Sequence, residues 1–266
     1  MIENLKIGFV GAGNMGSAII GGLIASKKAQ PENIYACDLS ADKLLPLKDI
    51  GVRTTDNSDI VFGSCDVVIL AVKPNVFPKL LPTVKTVQPI FVSIAAGISV
   101  NFIKSNLPQG AKVVRVMPNT PALIGKGVTV ISPAPEISDS QAATVREIFD
   151  CVGVTEIMDE SLMDAVVSAS GSSPAYVYMM IEAMADAAVK AGMPRQAAYK
   201  ICAAAVEGSA AMVLHTGTHP GQLKDVVCSP GGTTIDAVEA LEADGFRYAV
   251  MDAMAKCTEK SKILTK

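Results

Sequence analysis

The sequence predicts an α/β protein. Residues 1–159 should form an open parallel sheet covered by helices, and residues 160–266 an all-helical part. Three observations predict this. Short apolar runs rich in β-branched residues recur through the first part, separated by amphipathic stretches. The first of them leads directly into a glycine-rich string, GAGNMG. Beyond Asp159 the strand pattern stops, and long stretches rich in Ala and Met take over.

The strand candidates are residues 6–10, 34–37, 67–71, 90–94, 112–117, 128–131 and 154–157. Most are apolar without alternation, as strands are when helices cover both faces of a sheet. Strand–helix alternation of this kind implies parallel pairing through right-handed crossovers. Ser138, with Gln141 three residues later, forms a capping-box pattern ahead of AATVREIF. In the second part, residues 165–191 carry charges only at Glu182, Asp186 and Lys190. Their spacing of four puts them on one narrow stripe of a helix. Residues 196–214 carry only Lys200 and Glu207. Helices this apolar must be buried on several sides, so a homodimer or larger assembly is expected. Pro174, after SGSS, is expected to break or kink the first of them.

Composition narrows the function classes. The chain is 50% hydrophobic and 18% charged, with a formal net charge of -3 and no Trp. Its mean hydropathy is +0.37. Disorder is not expected, and the core must be aliphatic. No segment concentrates Lys and Arg, so a nucleic-acid partner is not expected. No charge-free apolar run approaches the roughly 18 residues of a membrane span. The opening MIENLKIGFVGAGNMG has an apolar centre like that of a signal peptide, but it is broken by glycines and preceded by an acid. The six cysteines, Cys37, Cys65, Cys151, Cys202, Cys228 and Cys257, are dispersed without a CxxC pair. A reduced, cytoplasmic protein is expected.

GAGNMG contains Gly11, Ala12, Gly13, Asn14, Met15 and Gly16, after one predicted strand and before a predicted helix. In that context GxGxxG is the fingerprint of a dinucleotide-binding, Rossmann-type unit. One glycine makes the turn, one admits a pyrophosphate to the backbone, and one packs helix against strand. The helix N-terminus offers unpaired N–H groups to the phosphates. Asp38 follows at the end of the second strand, where a carboxylate usually reads the adenosine ribose. It would favour NADH and repel a 2′-phosphate. Capping of the turn DLSADK explains Asp38 as well, and Ser40 and Lys43 could instead receive a phosphate. AVKP (Ala71, Val72, Lys73, Pro74) ends another strand, at the edge where such sheets bind ligands. Lys73 reads either as a ribose or phosphate contact or as a solvated turn residue. SIAAG, with Ile94, Ala95 and Ala96, has side chains small enough to admit a flat nicotinamide ring. In VMPNTP, Asn119 is either a polar contact or a turn former.

His215 and His219 have zinc-pair spacing, but a Gly and a Pro interrupt the helix between and beyond them and no further ligands gather nearby. Helix termination is the expected role, and no metal is expected. The last motif is CSPGGTTIDAVEALEADG. Thr233 with Asp236 forms a capping-box pattern, and Gly245 should end the helix. The loop Ser229, Pro230, Gly231, Gly232 reads either as a capped turn or as an anion site for a carboxylate. Thr234 adds a hydroxyl.

Together these motifs resemble the pyrroline-5-carboxylate reductase family from one end of the chain to the other. GAGNMG, AVKP, SIAAG, VMPNTP and HPGQLKDVVCSPGGTTIDAVEALE fall in the family's order. The resemblance implies a dinucleotide-binding domain (1–159) followed by a helical dimerisation and substrate-loop domain (160–266). It implies NADPH or NADH as cofactor and reduction of 1-pyrroline-5-carboxylate to L-proline, the last step of proline biosynthesis. By motif match, Val10, Gly11, Ala12, Gly13, Asn14, Met15, Asn57, Ala71 to Pro74, and Ile94 to Ala96 take cofactor-contact positions. Ser229, Gly231, Gly232, Thr233 and Thr234 take the substrate loop, with Thr234 at the imine nitrogen. It further implies that helices of two subunits interlock and that one subunit's SPGGTT loop faces the other's nicotinamide. The family commonly has GSGPAY where this chain has GSSPAY. It often has a neutral residue where this chain has Asp38. A β-hydroxyacid dehydrogenase or a non-catalytic dinucleotide sensor would share the Rossmann opening but not the SPGGTT loop.

Overall fold

In the computed structural model, which describes residues 2–265, the first part of the chain builds one eight-stranded sheet. Its elements alternate as expected. Ile7–Val10 (β1) leads to Asn14–Ala25 (α1), Ile34–Cys37 (β2) to Ala41–Asp49 (α2), and Arg53–Thr55 (β3) to Ser58–Ser64 (α3). Val67–Leu70 (β4) leads to Phe77–Leu80 (α4), and Ile90–Ser93 (β5) to Val100–Asn106 (α5). Lys112–Met117 (β6), Gly127–Pro133 (β7), Asp139–Phe149 (α6) and Gly153–Ile157 (β8) complete the sheet. The capping box at Ser138 and Gln141 opens α6.

Strand order is β3-β2-β1-β4-β5-β6-β7-β8. Every pair is parallel except β6–β7, which is antiparallel. The sheet is thus parallel as expected but for this one pair, and the cause of the exception is local. Only residues 118–126 join the two strands, whereas a parallel crossover needs about a dozen residues or more. The joining loop is a 3-10 turn, Thr120–Ile124, ended by Gly125 in the left-handed region. Strand β3 was not anticipated. It is a short edge strand, RTT, with no fully buried residue and hence no apolar run to announce it.

The unalternating strands follow from a core on both faces. Ile7, Phe9, Ile34, Ala36, Val67, Ile69, Val92 and Val114 pack with α1 and α6 residues such as Ile20, Leu23 and Phe149. Their sequence neighbours Val10, Tyr35, Val68, Leu70, Phe91 and Val113 pack on the other face with Phe62, Phe77 and Ile103.

Beyond Asp159 the described residues contain no strand. Met163–Val166 (α7) passes into a π turn, Val167–Gly171, and Ser173–Lys190 (α8) begins afresh. Pro174 lies in the first turn of α8, where a missing N–H costs nothing. The expected kink is therefore a break between helices. Arg195–Thr216 (α9), Pro220–Val227 (α10), Thr233–Ala243 (α11) and Phe246–Leu264 (α12) follow. By packing, the chain up to Ser172 and again from Cys257 forms one compact unit, and Ser173–Lys256 forms another.

The second unit buries little of itself. Ala185, Ala198 and Cys202 make its core, with Ile181, Ala188, Val189 and Met193 against them. Helices α10 and α11 have no buried residue. Leu214 is 78% exposed and Val226 83%. Among the described residues, α9 is the one helix long and apolar enough to cross a membrane by length and composition, though Lys200 and Glu207 lie within it.

Gly153 opens β8 at φ +149, and a Cβ there would lie 1.9 Å from the Gly127 carbonyl oxygen. Gly153→Ala is expected to destabilise the sheet unit by at least about 2 kcal/mol, combining left-handed strain with a backbone clash. Urea unfolding followed by far-UV circular dichroism checks it; a wild-type midpoint would contradict the close approach.

Candidate active site

The strand order places a topological switch between β1 and β4, with chain connections running outward on either side. In such sheets the crevice at the strands' C-terminal ends holds the ligand. Parallel register brings Val10, Cys37, Thr55, Leu70 and Ser93 to the same edge. Each is followed by one of the anticipated segments: Gly11 to Gly16, Asp38, Asn57, Ala71 to Pro74, and Ile94 to Ala96. The structure therefore gathers all of these residues along one edge of the first unit.

The glycines divide the labour as their spacing suggests. Gly11 takes φ +108, and a Cβ on it would meet the Ala71 carbonyl oxygen at 2.5 Å. A Cβ on Gly16 would meet the Gly11 carbonyl oxygen at 2.5 Å. Those two contacts seat α1 against the ends of β1 and β4. Gly13, by contrast, has nothing within 4 Å of where a Cβ would stand. Gly13 is also the N-cap of α1, and no side chain caps the helix. The N-terminus of α1 thus has no side-chain cap and begins at a residue with no side chain and free space beside it, which is the steric and electrostatic form of a phosphate cradle.

Asp38 is tied into this loop. Its Oδ2 accepts from the Ala12 N–H at 2.9 Å, and its Oδ1 accepts from the Ser40 N–H at 3.0 Å. Lys43 Nζ lies 3.1–3.2 Å from both oxygens. The N-cap of α2 is Ser40, so Asp38 closes the preceding turn instead of capping the helix itself. Partial burial pushes its carboxyl up, but the two N–H groups and the Lys43 ammonium outweigh this and hold it below the usual carboxylate range. Burial, with Asp38 beside it, pushes the Cys37 thiol up to about 11, so it stays protonated at neutral pH.

The remaining segments are held by backbone. Ala71 N–H donates to the Val10 carbonyl at 2.8 Å, and Ile94 N–H to the Leu70 carbonyl at 3.3 Å. Asn57 caps α3, its Oδ1 accepting from the Asp59 N–H. Lys73 is exposed. Asn119 is the turn former: buried, it donates to the Ser170 carbonyl and accepts from the Val128 N–H. One buried charge escaped the motif reading. Arg115, inside β6, is 3% exposed and pairs with Glu160 at 3.0 Å. A charge inside the apolar run VVRVM was the only signal it left.

In the second unit, Ser229 to Gly232 form the turn between α10 and α11. It is closed by the Gly232 N–H on the Ser229 carbonyl at 3.0 Å, with Gly231 at φ +65. The capping box expected at Thr233 and Asp236 does not form. Helix α11 starts at Thr233 itself, with Gly232 as N-cap and no side-chain cap, because the turn ends and the helix begins one residue earlier than a threonine cap would need. The first N–H groups of α11 therefore stay without a side-chain partner. Gly245, at φ +71, follows the helix end.

The histidines act as helix punctuation. His215 lies in the last turn of α9, which Gly217 ends at φ +63, and His219 Nδ1 accepts from the Gly221 N–H to cap α10. Among the described residues no group of three or more His, Cys, Asp or Glu side chains gathers as a metal site would require.

Comparison with known proteins places these features. The family model for pyrroline-5-carboxylate reductase dimerisation matches residues 160–264. The model for NADP oxidoreductase coenzyme F420-dependent matches residues 6–97. Pyrroline-5-carboxylate reductase of Escherichia coli K12 is 49% identical, with 98% of each chain covered. The Coxiella burnetii pyrroline-5-carboxylate reductase structure superposes with TM-score 0.94 at 31% identity, covering 99% of this chain and 100% of that one. The Plasmodium falciparum pyrroline carboxylate reductase structure, with NADP bound, gives 0.89 at 32% identity and 99% of each chain.

The depressed Asp38 carboxyl carries a stability signature. Its folded pKa lies below the unfolded value, so its stabilising effect is present above about pH 4 and is lost as pH falls through the folded pKa. The stability difference between wild type and Asp38→Asn should therefore be constant near neutrality and shrink below about pH 4. Denaturation across that range measures it; a difference independent of pH would show that the carboxylate charge is not what the loop uses.

Proposed function

The chain belongs to the pyrroline-5-carboxylate reductase family, and we propose that it reduces the C=N bond of 1-pyrroline-5-carboxylate, giving L-proline, with NADPH or NADH as the reductant. The observation that carries this reading is the contrast among the three glycines. Gly11 and Gly16 are in backbone contact while Gly13 opens onto free space, a cradle that fits a pyrophosphate and that a side chain at position 13 would fill.

The bound dinucleotide supplies a hydride from its nicotinamide ring. Val10 to Gly16 hold its pyrophosphate on the uncapped N-terminus of α1. Asp38 faces its adenosine ribose with the carboxylate capacity left beyond Ala12, Ser40 and Lys43. Asn57 and Ala71 to Pro74 line its path, and Ile94 to Ala96 flank the ring with small side chains. Lys43, paired with Asp38, softens the repulsion that a lone carboxylate would exert on a 2′-phosphate, so both cofactors are compatible with the site.

The SPGGTT loop holds the substrate. N–H groups of Ser229 and Gly231 in the turn and those at the start of α11, with Thr233, take its carboxylate, while Gly232 closes the turn on the Ser229 carbonyl. The Thr234 hydroxyl, half-exposed in the first turn of α11, holds the imine nitrogen. Reduction adds a hydride at carbon and leaves a proton on nitrogen, so a hydrogen bond at that nitrogen stabilises the electrophilic form. Binding and orientation thus carry most of the acceleration.

The protein works in the cytoplasm as a homodimer, with neither membrane nor nucleic acid as a partner. All six cysteines are free, which suits a reducing compartment. The dimerisation model spans the helices whose apolar faces lie bare. A membrane would have to take Lys200 and Glu207 of α9 into its core at about 2.5–3.5 kcal/mol each. A second copy can cover the apolar faces and leave those charges in water.

The primary test is oxidation of NADPH and NADH on adding pyrroline-5-carboxylate; no turnover with either overturns the reading. Thr234→Ala should lower kcat by roughly 1–3 kcal/mol, on the order of 5- to 150-fold, with cofactor Kd unchanged. An unchanged kcat with a weakened cofactor would contradict the role given to Thr234. A second experiment asks whether the site is shared. An inactive Gly13→Glu chain and an inactive or impaired Thr234→Ala chain, mixed and reassembled, should regain activity in the heterodimers. No recovery in proven heterodimers would put both halves of a site in one subunit.

A further inference from the structure

The loop from Ile94 to Ser99 carries three of the proposed cofactor contacts, and other parts of the same unit hold it at its C-terminal end and in its middle. At its C-terminal end, Glu160 Oε1 accepts from the Val100 N–H at 2.8 Å and from Arg115 Nη1 at 3.0 Å. In its middle, Gly97 adopts φ +72, and a Cβ there would stand 3.0 Å from the Leu264 carbonyl oxygen. The last turn of the chain is therefore pressed against the backbone of this loop. A glycine is needed for both the left-handed conformation and the closeness of that approach.

That last turn is held in place by one carboxylate. Ser261 Oγ donates to Asp164 Oδ1 at 2.6 Å, and Thr265 Oγ1 lies 3.0 Å from the same oxygen. Ser261 is buried, and Thr265 N–H donates to the Ser261 carbonyl at 3.0 Å. Further along the same seam, Thr258 and Ser168 hydroxyls meet at 2.9 Å, and Cys257 Sγ lies 3.3 Å from Ser172 Oγ. Asp164 thus anchors both polar side chains flanking Leu264, the residue that touches Gly97. None of these groups lies among the residues proposed to touch cofactor or substrate.

We propose that Asp164 is a positioning residue for the nicotinamide dinucleotide: by clasping Ser261 and Thr265 it keeps the end of α12 on Gly97 and so sets the loop of Ile94, Ala95 and Ala96. This inference rests on the reading that the loop flanks the nicotinamide. A clasp of this kind acts on the cofactor, whereas a residue of the SPGGTT loop acts on the substrate. The two effects separate in binding measurements.

The test uses the assembled full-length enzyme and two variants that break the clasp in different ways. Asp164→Leu removes the acceptor. Removing residues 264–266 deletes Leu264 and Thr265 while leaving Asp164 in place. Both should raise the Kd for NADPH and NADH, read by quenching or enhancement of the dinucleotide's fluorescence. The rise should be on the order of three- to tenfold, as losing one or two hydrogen bonds implies. The KM for pyrroline-5-carboxylate at saturating cofactor should stay within about twofold. Asp164→Asn keeps an acceptor oxygen and should restore near wild-type cofactor binding. If Asp164→Leu does not fold, the truncated chain and Asp164→Asn decide. Wild-type cofactor Kd in a folded clasp variant, loss in Asp164→Asn as large as in Asp164→Leu, or an effect confined to the substrate KM would each overturn the inference. Failure of the wild type to bind either dinucleotide would overturn the cofactor reading and this assignment together.

Discussion

The close approach of two glycine backbones governs the sheet unit. Gly16 lies where a single methyl would strike the Gly11 carbonyl, and Gly11 lies where one would strike the Ala71 carbonyl. With side chains at both positions, α1 would have to lift away from β1 and β4. Its N-terminus would then leave the crevice where the strand order reverses. The large buried side chains of α1, Ile19, Ile20 and Leu23, then lock the helix in that low position. Core packing and ligand geometry therefore depend on the same contact. Asp38 reinforces it from the neighbouring strand by holding the Ala12 N–H.

Much of this was legible in the sequence because the signals were local. Unalternating runs such as VVIL and IGFV mark strands buried on both faces, and the anticipated strands form within a residue or two of their expected limits. What escaped was set by context. Strand β3 is an edge, so its residues have no apolar pattern. The reversal of β7 is a matter of loop length, which says little until the neighbouring strand is identified. The threonine cap at Thr233 failed because the glycine turn ends and the helix begins one residue early, a shift that the pattern T-x-x-D does not encode. The role of Asn119 needed the structure, since a buried amide and a ligand contact look alike in VMPNTP.

The two units meet the hydrophobic requirement in opposite ways. The sheet unit sandwiches its strands between helices and buries its largest side chains completely, as Phe9, Phe77, Phe91 and Phe149 demonstrate. The helical unit has only a small core of Ala185, Ala198 and Cys202. Its single-residue polar stripes are too narrow to solvate helices of that length. An apolar excess of this kind belongs to an interface, and the dimerisation model matches the stretch that carries it. Where an interface takes up that excess, side chains such as Val226, Leu214 and Tyr248, which a single chain leaves exposed, would be covered by association instead of by folding. In such a case the stability of the helical unit depends on protein concentration.

Rigidity takes on added weight where chemistry needs few reactive side chains. The edge of the sheet holds no metal cluster among the described residues, and its one cysteine, Cys37, is pushed up to about 11. Hydride transfer to an imine calls mainly for two partners held at the right distance and angle, and misplacement by about 1 Å can cost on the order of a hundredfold. The polar side chains of this unit are accordingly spent on holding backbone. Asp38 fixes Ala12 and Ser40, Glu160 fixes Val100, and Asp164 fixes the turn that rests on Gly97. Each of these carboxylates acts on a loop at a strand's C-terminal end or on the chain segment packed against it. The fold thus uses its charges to convert flexible connections into a fixed frame, and leaves the reactivity to the molecules that the frame receives.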